Sequence, residues 1–206
     1  MNKGVDMKIV LATNNPDKIR EMGELLSGLD VTLKTRRDFD SFPDIEETGT
    51  TLFENAKLKA RAISRACGLP ALADDSGLEV DALDGAPGLF SARYSGPEAT
   101  YESNCRKLIT EMSNVSADKR TARFRCVIAL CWNPSEDDFD IAEGAVEGLI
   151  TNEFHSSGGF GYDPVFYYPP AKKTFAEMSA EEKNSISHRG LALQQARELI
   201  RKRLAC

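Results

Sequence analysis

The residues best suited to chemistry are acids and cations. Asp74 and Asp75 follow the small, apolar run Ala71-Leu72-Ala73 and precede Ser76-Gly77-Leu78. The run reads as the buried end of a strand, on which successive side chains point to opposite faces. Two adjacent acids at a strand's C-terminal end are costly for folding alone, and that edge is where open α/β sheets bind ligands. The competing reading is a turn carrying two solvated aspartates. Glu46, Glu47 and Asp163 add further acids, while His155 and His188 are the only two histidines. Hard oxygen donors with so few imidazoles suit magnesium, which needs one or two protein carboxylates and completes its shell with water and phosphate. Glu47 could replace Glu46 as a ligand, since neighbouring side chains diverge. Lys18, Lys59, Lys183 and Arg189 supply positive charge, and Phe160 sits among Gly158, Gly159 and Gly161, where a flat ligand can approach. Together these groups suit a nucleoside triphosphate.

The elements that must position them can be read in order. Lys8 to Thr13 is a continuous apolar run fit for a buried strand. Asn15 is a candidate N-cap with Pro16 at the first helical position, and Ile19, Met22, Leu25 and Leu26 then recur at helical spacing up to Gly28. Such a strand-turn-helix offers backbone N–H groups and a positive helix end to an anion. Lys18 opposes that dipole, which makes sense if it meets a phosphate; otherwise it is a solvated surface lysine. Val31 to Thr35 is a weak strand. Leu52 to Cys67 is a long helix with a Thr51/Glu54 capping box, closed by Gly68 and Pro70. Lys59 falls on its inward side. Thr100 caps a helix to Met112; Thr121 to Trp132 and Phe139 to Ile150 form a hairpin; Val165 to Tyr168 is an apolar strand. Ser179 and Glu182 open a helix pair that carries Lys183 and then His188-Arg189-Gly190 ahead of a basic C-terminal helix.

The bulk numbers narrow the class. A chain of 206 residues, 41% hydrophobic and 28% charged, suits one domain or two lobes sharing a sheet. Its net charge of -6 argues against coating nucleic acid. Five cysteines without paired spacing point to reduced core thiols and a cytoplasmic setting. No apolar run approaches the roughly 20 residues of a membrane span. Residues 1–6 are polar and read as an extension ahead of a single domain over 7–206. There is no Gly-x-x-x-x-Gly-Lys-Ser/Thr loop, no Gly-x-Gly-x-x-Gly turn and no Gly-x-Ser-x-Gly elbow.

Six segments carry a resemblance. They are Ala12-Thr13-Asn14-Asn15-Pro16-Asp17-Lys18; Glu46-Glu47-Thr48-Gly49 with Phe53-Glu54-Asn55-Ala56; Ala73 to Leu78; Gly85-Ala86-Pro87-Gly88 to Ser91-Ala92-Arg93-Tyr94-Ser95-Gly96; Gly159 to Pro164; and Glu182 to Gly190. In this order they resemble the Ham1-like inosine triphosphate pyrophosphatase family, which hydrolyses non-canonical purine nucleoside triphosphates to monophosphate and pyrophosphate. Asn14 departs from the glycine frequent there. The resemblance implies an α/β fold: an elongated mixed β-sheet flanked by helices, in two lobes with the active site in the cleft, and a homodimer.

It also assigns roles. Thr13, Asn14, Asn15, Pro16, Asp17 and Lys18 would hold the triphosphate, and Lys59 would reach a phosphate. Glu46 and Asp75 would hold Mg2+, Asp75 would accept the attacking water's proton, and Ser76 would touch substrate. Phe160, Gly161, Tyr162 and Asp163 would frame the base, with Lys183, His188 and Arg189 closing over it. Asp74 is expected to orient Asp75 rather than react, and His188 to orient as much as read. Arg93 and Tyr94 are expected in packing or a dimer interface, Trp132 in the core, and the basic C-terminal face in solvent. Two rival functions remain: a Maf-like pyrimidine nucleotide pyrophosphatase, whose first motif would differ, and a nucleotide-binding sensor without turnover.

Overall fold

A computed structural model describes residues 7–156 and 158–205; the expected extension over residues 1–6 lies outside them. Among the described residues the helices are α1 (Pro16–Leu25), α2 (Leu52–Cys67), α3 (Tyr101–Glu111), α4 (Ala180–Ile186) and α5 (His188–Leu204). The strands are β1 (Met7–Leu11), β2 (Val31–Lys34), β3 (Ala71–Val80), β4 (Pro87–Gly88), β5 (Thr121–Asn133), β6 (Asp138–Ile150), β7 (Phe166–Tyr168) and β8 (Lys173–Thr174). They form a mixed sheet in the order β2-β1-β3-β5-β6-β7-β8, with β4 beside β3. β1 runs parallel to both β2 and β3, whereas β7 is antiparallel to β6 and β8.

Local chemistry explains most boundaries. Asn15 caps α1, its side-chain oxygen accepting from the N–H of Asp17 and of Lys18. Thr51 caps α2 through the N–H of Glu54, but Glu54 returns to the N–H and hydroxyl of Thr50, so the expected box closes one residue early. Ser179 and Glu182 close theirs as expected. β5 and β6 are neighbours joined by a turn at 134–137, a link that admits only an antiparallel pair.

Three expectations need correction. The strand holding Asp74 and Asp75 does not end there; it continues to Val80. Gly77 serves close approach: a Cβ there would lie 2.6 Å from Gly88 O, in the segment where β4 pairs with Leu78 and Glu79. Only the parallel pairing with β1 stops short, at Leu72. Trp132 is not core. It is half-buried, its Nε1–H donates to Asp140 at 2.8 Å, and Arg203 lies over its ring. Finally, His188, Arg189 and Gly190 belong to the first turn of α5 rather than preceding it.

The chain divides into two compact units. One gathers the chain through Asp75, Val127–Glu143 and the chain from Leu191; the other comprises Ser76–Cys126 and Gly144–Gly190. The core of the first packs Val10, Ala56, Ala60, Ile63, Ala73 and Val127. That of the second packs Leu78, Leu108, Phe124, Val165, Phe166 and Phe175. Arg120 serves the second unit without a carboxylate: buried, it donates to the carbonyls of Met112, Val115, Ile150 and Thr151, joining the end of α3 to the end of β6.

Candidate active site

In the first unit the paired aspartates of β3 each meet a lysine from a different helix. Lys18, in the first turn of α1, places Nζ 3.0 Å from Asp74 Oδ1, and the Asp74 side chain is fully buried. Its position against the helix dipole is thus explained by a buried carboxylate 56 positions away in the chain. Lys59, midway along α2, places Nζ 3.0 Å from Asp75 Oδ1 and 2.8 Å from Glu47 Oε1. Burial works to lower the Lys59 ammonium, yet Asp75, Asp74 and Glu47 outweigh it and hold it above the ordinary lysine value. Burial pushes the Asp75 carboxyl up, with Glu47 adding to the rise and Lys59 and Lys18 resisting it.

The loop before α1 is arranged by the same cap. Thr13 Oγ1 accepts from the Asn15 N–H at 3.2 Å, and Asn14 Nδ2 donates to Asp44 at 3.1 Å. Because Asn15 already occupies the N–H groups of Asp17 and Lys18, the bare helix end expected as an anion hole is partly satisfied from within. Of the two loop acids, Glu47 is drawn to Lys59 while Glu46 is exposed. Residue type alone leaves these two open and the resemblance favours Glu46; in the fold the lysine on α2 is what sets them apart.

In the second unit the cations gather around Phe160. Asp163 Oδ2 accepts from Lys183 Nζ at 2.6 Å and from the Phe160 N–H at 2.9 Å, so one buried carboxylate ties the ring's backbone to the lysine. Gly159 has φ +70°, and a Cβ there would lie 2.3 Å from Asp163 Oδ2. Any side chain at this position would strain the backbone and dislodge the carboxylate. Lys183 Nζ lies 4.3 Å from the centre of the Phe160 ring and Arg189 Cζ lies 5.5 Å from it. Arg189 also donates to Ser76 Oγ at 3.3 Å.

Tyr162 and His188 are placed otherwise. Tyr162 is buried in the core, donating its hydroxyl to Ser91 O at 2.8 Å, a packing position rather than an open face. His188 is buried with its ring stacked on Phe124, centres 4.5 Å apart and planes 9° apart. Phe124 escaped the sequence reading; its place on an alternating strand was the available signal. Arg93 lies over the Phe90 ring and Tyr94 bonds Glu111, both outside this group.

Residues 9–199 match the Ham1 family. The chain belongs to the Ham1 family. A dITP/XTP pyrophosphatase of Thioalkalivibrio sulfidiphilus is 50% identical over 188 residues, 91% of this chain and 95% of that protein. The dITP/XTP pyrophosphatase of Escherichia coli K12 is 48% identical over 196 residues, 94% and 98% of the two chains. A solved HAM1 protein from Coxiella burnetii superposes with a TM-score of 0.88 at 46% identity, covering 95% of this chain and 99% of the other. The mixed α/β sheet expected from the motifs is the sheet of this Ham1-family chain. No helix among its described residues is long and apolar enough to cross a membrane.

Proposed function

We propose that this chain is a nucleoside triphosphate pyrophosphatase acting on non-canonical purine nucleotides such as ITP, dITP and XTP. Its relatives' activity supports the reading, and the observation that carries it in this chain is the pairing of Lys18 and Lys59 with Asp74 and Asp75. Lysines that neutralise acids in the resting protein can turn to phosphate oxygens when substrate arrives. Thr13 to Lys18 and Lys59 take the triphosphate; Phe160, held by Asp163, stacks the base, with Lys183 and Arg189 alongside, His188 stacked on Phe124 at the start of the same helix as Arg189, and Ser76 contacting substrate.

Water attacks the α-phosphorus. The new O–P bond forms as the bond to the bridging oxygen breaks, pyrophosphate leaves with the electron pair, and Asp75 takes the water's proton. Burial suits Asp75 to that role by making it a stronger base than an ordinary aspartate. The cation set opposes the charge that spreads over the phosphates.

The donors fit magnesium. Two carboxylate oxygens, from Asp75 and Glu47, already converge on one positive atom, Lys59 Nζ. By the resemblance Asp75 and Glu46 would hold the ion, with Glu47 remaining on Lys59; when bound, it would supply charge neutralisation to the departing pyrophosphate. Selection for a 6-oxo purine follows if Arg189 or a backbone N–H donates to that oxygen, since adenine's amine would set donor against donor; guanine shares the 6-oxo group, so its rejection has to come from the 2-position. A homodimer in the cytoplasm completes the proposal.

The test is pyrophosphate release with magnesium from ITP, dITP, XTP, GTP, ATP and dTTP, for the wild type beside Asp75→Asn. Turnover of the first three, little of the rest, and loss in the variant are expected. Preference for dTTP would point to Maf-like chemistry, and tight ITP binding without release would leave only a sensor.

A further inference from the structure

The group around Phe160 contains a second aromatic ring that the motifs did not single out. Tyr101 opens α3 directly after its cap, Thr100. Its ring centre lies 5.9 Å from that of Phe160 with the planes tilted by 50°, a geometry aromatic pairs favour. The contact follows from two anchored backbones. Cys105, one turn along the same face of α3, is buried and its thiol donates to Gly161 O at 3.3 Å. Asn104 and the Tyr162 hydroxyl donate to the same carbonyl, Ser91 O, at 3.2 and 2.8 Å. The start of α3 and the loop at 160–162 are therefore held in register, and Asp163 fixes Phe160 from the other side. Tyr101 nonetheless remains 44% exposed, so an aromatic face stays open beside the ring assigned to the base.

We propose that Tyr101 is a positioning residue for the base. It sets the plane of Phe160 and widens the aromatic surface beside it, which favours two-ring purines over single-ring pyrimidines. The other groups over Phe160 are the cations Lys183 and Arg189, which attract its face but do not limit its tilt. The inference rests on the reading of Phe160 as the stacking ring and adds a residue to it.

The experiment compares Tyr101→Ala, Tyr101→Leu and Tyr101→Phe in the full chain. KM and kcat are measured for ITP, together with the Ki of abasic 2-deoxyribose 5-triphosphate as a competitive inhibitor. Loss of one aromatic pair raises the ITP KM about three- to tenfold in the Ala and Leu variants. Their kcat stays within about twofold and the abasic Ki is unchanged. Tyr101→Phe behaves as wild type. An unmoved KM in Tyr101→Ala, an equal weakening of the abasic inhibitor, or a wild-type KM in Tyr101→Leu overturns the proposal. Wild-type ITP turnover in the same assay separates the two levels. Its absence refutes the pyrophosphatase reading, whereas turnover with an unmoved KM refutes only the role of Tyr101.

Discussion

Replacing Lys59 by methionine keeps the apolar stem, one atom shorter, and removes the charge, leaving Asp75 and Glu47 facing each other without their shared cation. At 3.0 Å the Lys59–Asp75 attraction is about 5.5 kcal/mol at an effective dielectric of about 20. Glu47 is more exposed and adds a screened share. Relief of the lysine's own burial offsets part of the loss, and Lys18 still acts on Asp75. Stranding one partner of a buried pair costs about 3–5 kcal/mol, and the low end applies here. Lys59→Met should therefore lose about 3 kcal/mol, which for a chain of this size lowers Tm by about 6–12 °C.

The decisive comparison is the double variant. Asp75→Asn alone leaves Lys59 with Glu47 and costs about 1 kcal/mol, in line with one lost hydrogen bond. In Lys59→Met/Asp75→Asn the buried stranded charge is gone and only the more exposed Glu47 is left without its cation, so the pair together should cost about 2 kcal/mol rather than 4, a coupling of about 2 kcal/mol. Urea unfolding at neutral pH without divalent ions reads these as shifts in midpoint at constant m. A single-variant loss under about 1 kcal/mol, or strict additivity of the two changes, would refute the reasoning.

Further outcomes follow from other contacts. Arg120→Lys cannot reach four carbonyls spread over two segments; it should cost about 3 kcal/mol or more, through buried acceptors left unmet, and a calorimetric Tm near wild type would contradict this. Glu46→Gln should raise the magnesium concentration for half-maximal activity by about tenfold or more, and Glu47→Gln by clearly less; the reverse ranking would move the ligand to Glu47. Asp38, Glu54, Glu177 and Glu182 are held below the usual carboxylate range, chiefly by backbone N–H groups at helix starts. A lowered folded-state value means the native protein binds fewer protons, so their stabilisation is complete above about pH 5 and drains away as pH falls below it. Asp75, raised by burial, acts in the opposite sense. Tm scanned downward from pH 6 should fall, less steeply in Glu182→Gln; a rise would overturn the assignment.

How much of this was readable beforehand depended on distance along the chain. Asn15 with Pro16, and Ser179 with Glu182, act within one helical turn, so residue type and spacing suffice to find them. The partners of Lys18 and Lys59 lie 56 and 16 positions away, and pairing at that range is set by packing of helix against strand. Residue type and spacing therefore left Lys18 between surface charge and phosphate ligand, and Glu46 level with Glu47; only the resemblance chose phosphate for Lys18 and Glu46 for the metal. Ser76-Gly77 after the aspartates fitted the end of a strand because a glycine marks both a turn and a close backbone approach, and only the presence of β4 decides between them. The resemblance grouped Tyr162 with Phe160, but the bend at Gly161, φ +62°, sends the two rings to different surroundings. Arg120 drew no attention because its partners are all main-chain carbonyls, which leave no trace in residue type.

The way the chain weaves through its two units has a consequence for synthesis. Arg197 on α5 donates to Leu25 O and Ser27 O, closing the end of α1 from 172 and 170 positions downstream. Translated at about 5–20 residues per second, that bond must wait roughly 9–34 s after Leu25 has been made. Through that interval the first helix and its strand are tethered but unfinished, with their share of the apolar core uncovered. A helix completed only by a contact about 170 positions downstream should gain more than most from a chaperone that holds the emerging chain.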